Sequence, residues 1–146
     1  MKSYEITANK LIAFWRQGVV QVNHGASEAE IIDLERRRGL KVPPELRTYL
    51  SMADGMPTGS TDSNLIRFWP IAEILPISEG APEMIGAGTE HGQALLFADY
   101  SLWAHAYAIQ PDAPHHVLLV GGDSPRDLEM QFDEFVDAYI SRGVVE

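Results

Sequence analysis

The chain has 146 residues, 45% of them hydrophobic and including five Phe, five Tyr and three Trp, which is the size of one domain and enough apolar bulk for one core. It has no cysteine, which excludes a disulfide framework, a thiol nucleophile, cysteine-ligated zinc and an iron–sulfur cluster. Its formal net charge of −10 disfavours direct binding of DNA or RNA, whose phosphates need the opposite sign.

Residues 4–17 carry Leu11, Phe14 and Trp15 at helical spacing before Gly18, which predicts an amphipathic first helix. A second helix is predicted after Ser27, a cap whose partner Glu30, three residues on, completes a capping box. It turns Ile31, Leu34 and Ile32 inward and ends at Gly39. Pro43-Pro44 opens a third helix, with Leu46, Tyr49, Leu50 and Ala53 as its buried stripe before Gly55.

Beyond Gly55 the pattern changes. Residues 56–64 read as a loop, 65–69 as a strand ended by Pro70, and 93–100, 102–109 and 115–120 as three further strands joined by short links that favour antiparallel hairpins. Residues 78–92 read as a long surface loop with one helical turn. Leu128, Phe132, Phe135, Val136, Tyr139 and Ile140 recur as the apolar face of a closing helix that stops at Gly143. The expected fold is α+β: N-terminal helices, a mainly antiparallel sheet of about four to six strands and a C-terminal closing helix, in one domain over residues 1–146.

Charge is unevenly spread. Residues 1–67 hold nine Lys or Arg against eight Asp or Glu, a net of +1. Residues 68–125 hold no Lys or Arg against Glu73, Glu79, Glu83, Glu90, Asp99, Asp112 and Asp123, a net of −7, and residues 126–146 hold two basic residues against six acidic ones, a net of −4. Such segregation produces a field able to steer a basic partner. No run approaches the roughly 18 apolar residues of a membrane span. Residues 1–7 carry Lys2 and Glu5 where a secretory signal needs an apolar segment, so a cytoplasmic protein is expected.

The motifs that carry chemistry have plain structural readings. His24, His91, His105, His115 and His116 do not form the i, i+4 pair of a helix-borne zinc site, and adjacent His115 and His116 in a strand would point to opposite faces. Gly86 to Gly92 departs from the dinucleotide fingerprint by one residue and has no βαβ unit around it, and Ser124 sits at a turn or helix cap rather than on a nucleophile elbow. After Gly121-Gly122 no lysine follows, as a phosphate nest would need. Asp99 and His105 are the pair a hairpin would bring together for acid–base work, with a solvated strand-end aspartate as the preferred reading. The run Arg36-Arg37-Arg38 with Lys41 reads as the solvated face of a helix, with a partner contact or a phosphate patch as the alternatives. Trp69 and Trp103 lie in strand-like runs and are either core or interaction anchors.

The residues 25–55, with Gly25-Ala-Ser27-Glu-Ala-Glu30-Ile31, Gly39-Leu40, Val42-Pro43-Pro44-Glu45-Leu46 and Asp54-Gly55, resemble the signature of the SUKH superfamily. That superfamily contains bacterial toxin-immunity proteins and fungal regulators of cell-wall synthesis. Trp15, Phe68-Trp69-Pro70-Ile71, Phe97-Ala98-Asp99, Tyr107-Ala108-Ile109 and Phe132-Asp133-Glu134-Phe135-Val136 extend the resemblance over residues 11–140. Gln131 departs from it, standing where a serine cap is usual, so the closing helix is expected either to start near Ser124-Pro125 or to follow a short strand ending at Met130. The resemblance implies a non-catalytic protein-binding domain without cofactor or metal, of the kind that binds and neutralises a nuclease-type toxin. A regulatory scaffold of the cell-wall type is the alternative. With the charge pattern it leads to an expected basic protein partner, no direct nucleic acid or membrane contact, a monomer or weak homodimer, and a partner-binding surface at Trp69, Glu73, Glu79, Glu83, Glu90, Asp99 and Trp103.

Overall fold

The computed structural model describes residues 3–81, 91–121 and 125–146. Three helices come first: α1 (Ser3–Gln17), α2 (Glu28–Arg38) and α3 (Pro44–Met52). Ser27 Oγ accepts the Glu30 N–H while Glu30 Oε1 accepts the Ser27 N–H, both at 3.1 Å, so the predicted capping box is formed. Gly39 closes α2 at φ 65°, a left-handed conformation that is unstrained for glycine. Of the residues assigned to the inner face of α2, Ile31 and Leu34 are buried and Ile32 is not.

After α3 come β1 (Ile66–Phe68), β2 (Leu75–Pro76), the single turn α4 (Ile77–Gly80), β3 (Leu95–Tyr100), β4 (His105–Ile109), β5 (Val117–Val120), β6 (Arg126–Met130) and α5 (Phe132–Arg142). Among the described residues they form one six-stranded sheet in the order β1-β3-β4-β5-β6, with β2 also paired to β3 and every pairing antiparallel. The α+β expectation is therefore met. β2 is an addition to the predicted strands, because two residues of strand leave little periodicity to read, and β6 is the short strand ending at Met130 that stood as one of two alternatives. Leu128 belongs to β6 rather than to the closing helix. That helix follows a strand ending at Met130, and Glu134 Oε1 accepts the Gln131 N–H at 3.1 Å, the half of a capping box that needs no serine.

The strand read at residues 102–109 begins three residues later, at His105, and the one read at 115–120 begins at Val117. Both corrections go with left-handed backbone before the ladder: Ser101, Leu102, Trp103 and His115 hold positive φ, outside the extended conformation of regular strand. The opposed-face argument for His115 and His116 lapses with them, since His115 is outside the ladder. Its Nδ1 lies 3.2 Å from the Gln110 carbonyl, while His116 Nδ1 meets Asp127.

The core is aromatic. Phe68 of β1 is ringed by Trp15 (5.1 Å between centroids), Tyr49, Phe97, Phe135 and Tyr139 (5.1 Å), so one side chain joins α1, α3, β3 and α5. A buried polar chain crosses this cluster. Trp15 Nε1 donates to Tyr139 Oη at 2.8 Å, Tyr139 donates to Asp62 Oδ2, and Asp62 Oδ1 accepts the N–H groups of Asn64 (2.8 Å) and Ile66 (3.0 Å). Burial and the hydrogen bond to Asp62 hold the Tyr139 hydroxyl far above the usual tyrosine range. Tyr107 uses its hydroxyl to grip both the N–H and the carbonyl of Val145, and burial pushes it up to about 12.

Tyr139→Phe leaves the Asp62 carboxylate short of one donor inside the protein, and the expected loss is about 1–3 kcal/mol of stability. A urea midpoint that falls at unchanged slope is the expected result. A midpoint within error of the parent would mean that the chain contributes nothing net.

Candidate functional site

The four-residue connection between β3 and β4, residues 101–104, is built unlike an ordinary hairpin turn. Ser101, Leu102 and Trp103 have φ of 50°, 53° and 73° in succession, and none is Gly, Asn or Asp. Left-handed backbone costs an L-residue roughly 1–2 kcal/mol, so the turn holds strain that other contacts must offset. Those contacts are in place. Ala104 N–H donates to the Tyr100 carbonyl at 3.0 Å, Ser101 N–H to the Leu65 carbonyl at 2.9 Å, and Trp103 N–H to Asp99 Oδ2 at 3.0 Å.

Asp99 is the pin. Only 6% exposed, it gives its second oxygen to the indole N–H of Trp69 at 2.6 Å. Trp69 is 4% exposed, and its ring lies 5.0 Å from that of Trp103 at 48°. Trp69 is itself held from behind. Met56 N–H donates to the Phe68 carbonyl, Trp69 N–H to the Phe97 carbonyl, and Gly55 sits so close that a Cβ there would fall 2.5 Å from the Trp69 carbonyl carbon. Glycine is required at that position by contact as well as by its φ of 63°.

Beside this pair, Arg67 stands opposite Asp99 in the β1–β3 register. It forms a two-pronged bridge to Glu73, at 2.8 and 2.6 Å, and donates further to the carbonyls of Met56 and Pro57. The hydrogen bond from Arg67, opposed by partial burial, holds the Glu73 carboxyl below the usual glutamate range.

The outer surface of the turn is apolar. Leu102 is 89% exposed, Leu65 51% and Trp103 44%, and between residues 100 and 111 there is no Asp, Glu, Lys or Arg. The tip thus presents an exposed Leu-Trp pair on a backbone fixed by a buried carboxylate.

Of the residues expected at a partner surface, Trp69, Asp99, Trp103 and Glu73 come together here. Their roles differ from those expected. Asp99 is no solvated strand-end carboxylate, because two N–H donors and burial claim it, and it is aligned with Ala106 in the ladder while His105 is aligned with Tyr100. The Asp99–His105 acid–base pair is thereby overturned. His105 stacks on Tyr100 at 4.9 Å instead. Glu79 lies elsewhere, bonded to Arg38 of α2. Glu83 and Glu90 lie outside the described residues, as do Ser124, Gly122 and most of the Gly86 to Gly92 run. Leu102 and Leu65 were not singled out, since each stood at the start of a predicted strand, 102–109 and 65–69, where an apolar residue is ordinary. Among the described residues no three His, Asp or Glu side chains gather as metal ligands, and no helix is long and apolar enough to cross a membrane.

Comparison with known proteins adds no relative: no family model matches the chain, and no curated protein matches it. What the fold and the site define is an α+β domain with an apolar, carboxylate-pinned hairpin tip.

Asp99→Asn turns an NH2 group toward one of the two N–H donors, and the expected loss is about 1–3 kcal/mol. The specific signature is faster amide hydrogen exchange at Trp103; unchanged exchange there would mean that the carboxylate does not hold the turn. Glu73 gives a pH test. Its folded pKa is depressed, so its stabilisation is complete above the ordinary glutamate pKa and is lost as pH falls through the lower folded value. Glu73→Gln should flatten the acid limb of the stability–pH curve and leave the alkaline limb unchanged, as read by urea unfolding across the acid range.

Proposed function

We propose that this chain is a non-catalytic protein-binding domain of the immunity type, which binds and neutralises a basic, nuclease-type bacterial toxin through the β3–β4 turn. The observation that carries the reading is the turn itself: three consecutive left-handed non-glycine residues, fixed by the buried Asp99, that leave Leu102 and Trp103 facing solvent. Strain of this kind persists where a site needs it, and tryptophan is the side chain most enriched among residues that dominate binding energy. The likeness of the sequence to the SUKH superfamily supplies the kind of partner, and the net charge of −10 supplies a long-range attraction for a cationic toxin surface.

The division of labour differs from docking through carboxylates. Glu73 and Glu79 are bonded to Arg67 and Arg38, and Asp99 is buried, so none of the three is free to receive a partner's cation. In this reading the apolar turn supplies the affinity and the overall negative field supplies the rate of encounter.

Co-expression with individual nuclease-type toxin domains tests it. The expected outcome is rescue of growth from one of them by the parent chain and loss of that rescue with Leu102→Glu, which places a charge on a side chain that the fold does not bury. The purified pair should lose about tenfold or more in affinity with Trp103→Ala, mainly through faster dissociation, while added salt slows association. Rescue by the parent that survives Leu102→Glu would take the turn out of the interface. A chain that protects against no toxin yet sits stably on a cellular enzyme would replace the immunity reading with that of a regulatory scaffold.

A further inference from the structure

The basic run at the end of α2 has no part in the turn, and its ion pairs divide it in two. Arg37 is bonded to Asp33 at 2.9 Å and Arg38 to Glu79, whereas Arg36 has no carboxylate partner among the described residues and Lys41, 88% exposed, reaches only to within 3.9 Å of Glu35. Those two open cations line the same surface cavity of about 460 Å³, together with Ile32, Gly39 and Leu40. A second cavity of about 360 Å³ shares Glu35 and Lys41 with it and continues along Pro43, Pro44, Pro111 and His115. The two make a groove with an aliphatic and proline floor.

Glu35 keeps the groove in shape. It is 8% exposed, and its Oε2 receives the Val42 N–H and an Arg47 guanidinium N–H, both at 2.9 Å, which fixes the link between α2 and α3. Arg47, also bonded to Glu28, is fully engaged. Among the described residues, Arg36 and Lys41 are thus the cations of this run least taken up by carboxylates.

We propose that this groove binds an extended acidic peptide segment of a protein partner, with aliphatic side chains on Ile32 and Leu40 and carboxylates at Arg36 and Lys41. The helix dipole alone does not account for the arrangement. Three arginines crowd the last turn of α2, and the two that pair internally are not the ones lining the groove. Charge complementarity fixes the sign of the occupant, and the floor fixes its class. Among the described residues no Phe, Tyr or Trp lines either cavity and His115 is the one ring there, while the carbonyl end of α2 together with the Glu35 carboxylate disfavours a phosphate-dense chain. A peptide carries fewer charges per unit length and brings apolar side chains for Ile32, a large hydrophobic residue otherwise left 40% exposed.

The test uses a fluorescently labelled short peptide alternating leucine with glutamate, its leucine–lysine counterpart, and a short single-stranded DNA of matched charge, each titrated against the whole chain by anisotropy. Saturable binding of the acidic peptide alone is expected, weakened about tenfold or more by the pair Arg36→Glu and Lys41→Glu and by Ile32→Asp, and weakened by added salt. Leu102→Glu should leave it unchanged, which separates this groove from the turn and from the immunity reading. All variants are first shown to keep the parent's circular dichroism and unfolding midpoint. Equal binding of the acidic and basic peptides, tighter binding of the DNA, no binding at all, or indifference to the three groove substitutions would each overturn the proposal.

Discussion

The structure depends on where Phe68 sits. On its ring α1, α3, β3 and α5 all converge, through Trp15, Tyr49, Phe97, Phe135 and Tyr139. Aromatic pairs of this kind combine large apolar burial with a preferred edge-to-face geometry, so they fix the angles between elements as well as holding them together. β1 is only three residues long and could not persist on hydrogen bonds alone; the ring at its end anchors it.

That anchoring passes directly to the candidate site. Trp69 follows Phe68 and goes to a different set of partners, with its indole on Asp99 and its ring against Trp103. A strained turn at the tip of β3 and β4 is therefore braced by the residue next in sequence to the centre of the core. Strain costing a few kcal/mol is tolerable there because the brace cannot move without disturbing the aromatic cluster. The same coupling explains why Gly55 must be glycine: its backbone lies against that of Trp69 at a distance that no side chain permits.

Charge follows a different logic from the one its distribution along the chain suggests. Three carboxylates of the acidic stretch from 68 to 125 are met within the fold, since Arg67 of β1 bonds Glu73, Arg38 of α2 bonds Glu79, and Asp99 turns inward to two N–H donors. Net charge is conserved under folding, whereas its surface pattern depends on which side chains the fold brings within reach. The net charge of the whole molecule is untouched by this redistribution, while the charge at those three residues is met locally.

The α+β order, the α2 capping box, the proline start of α3 and the inward face of the closing helix were all legible in the sequence, because each depends on residues within about one or two helical turns of one another. Trp69, Asp99 and Trp103 could be singled out by residue type. Their arrangement could not, since the contacts between them span the β1–β3 pairing and a turn whose residues Leu102 and Trp103 advertise strand. Left-handed backbone at those residues is a local loss, made possible only by a buried carboxylate and a second tryptophan brought from 30 positions away in the chain. Local chemistry determined the elements; contacts between distant residues decided which of them are strained, which charges are paired, and which apolar side chains are left facing water.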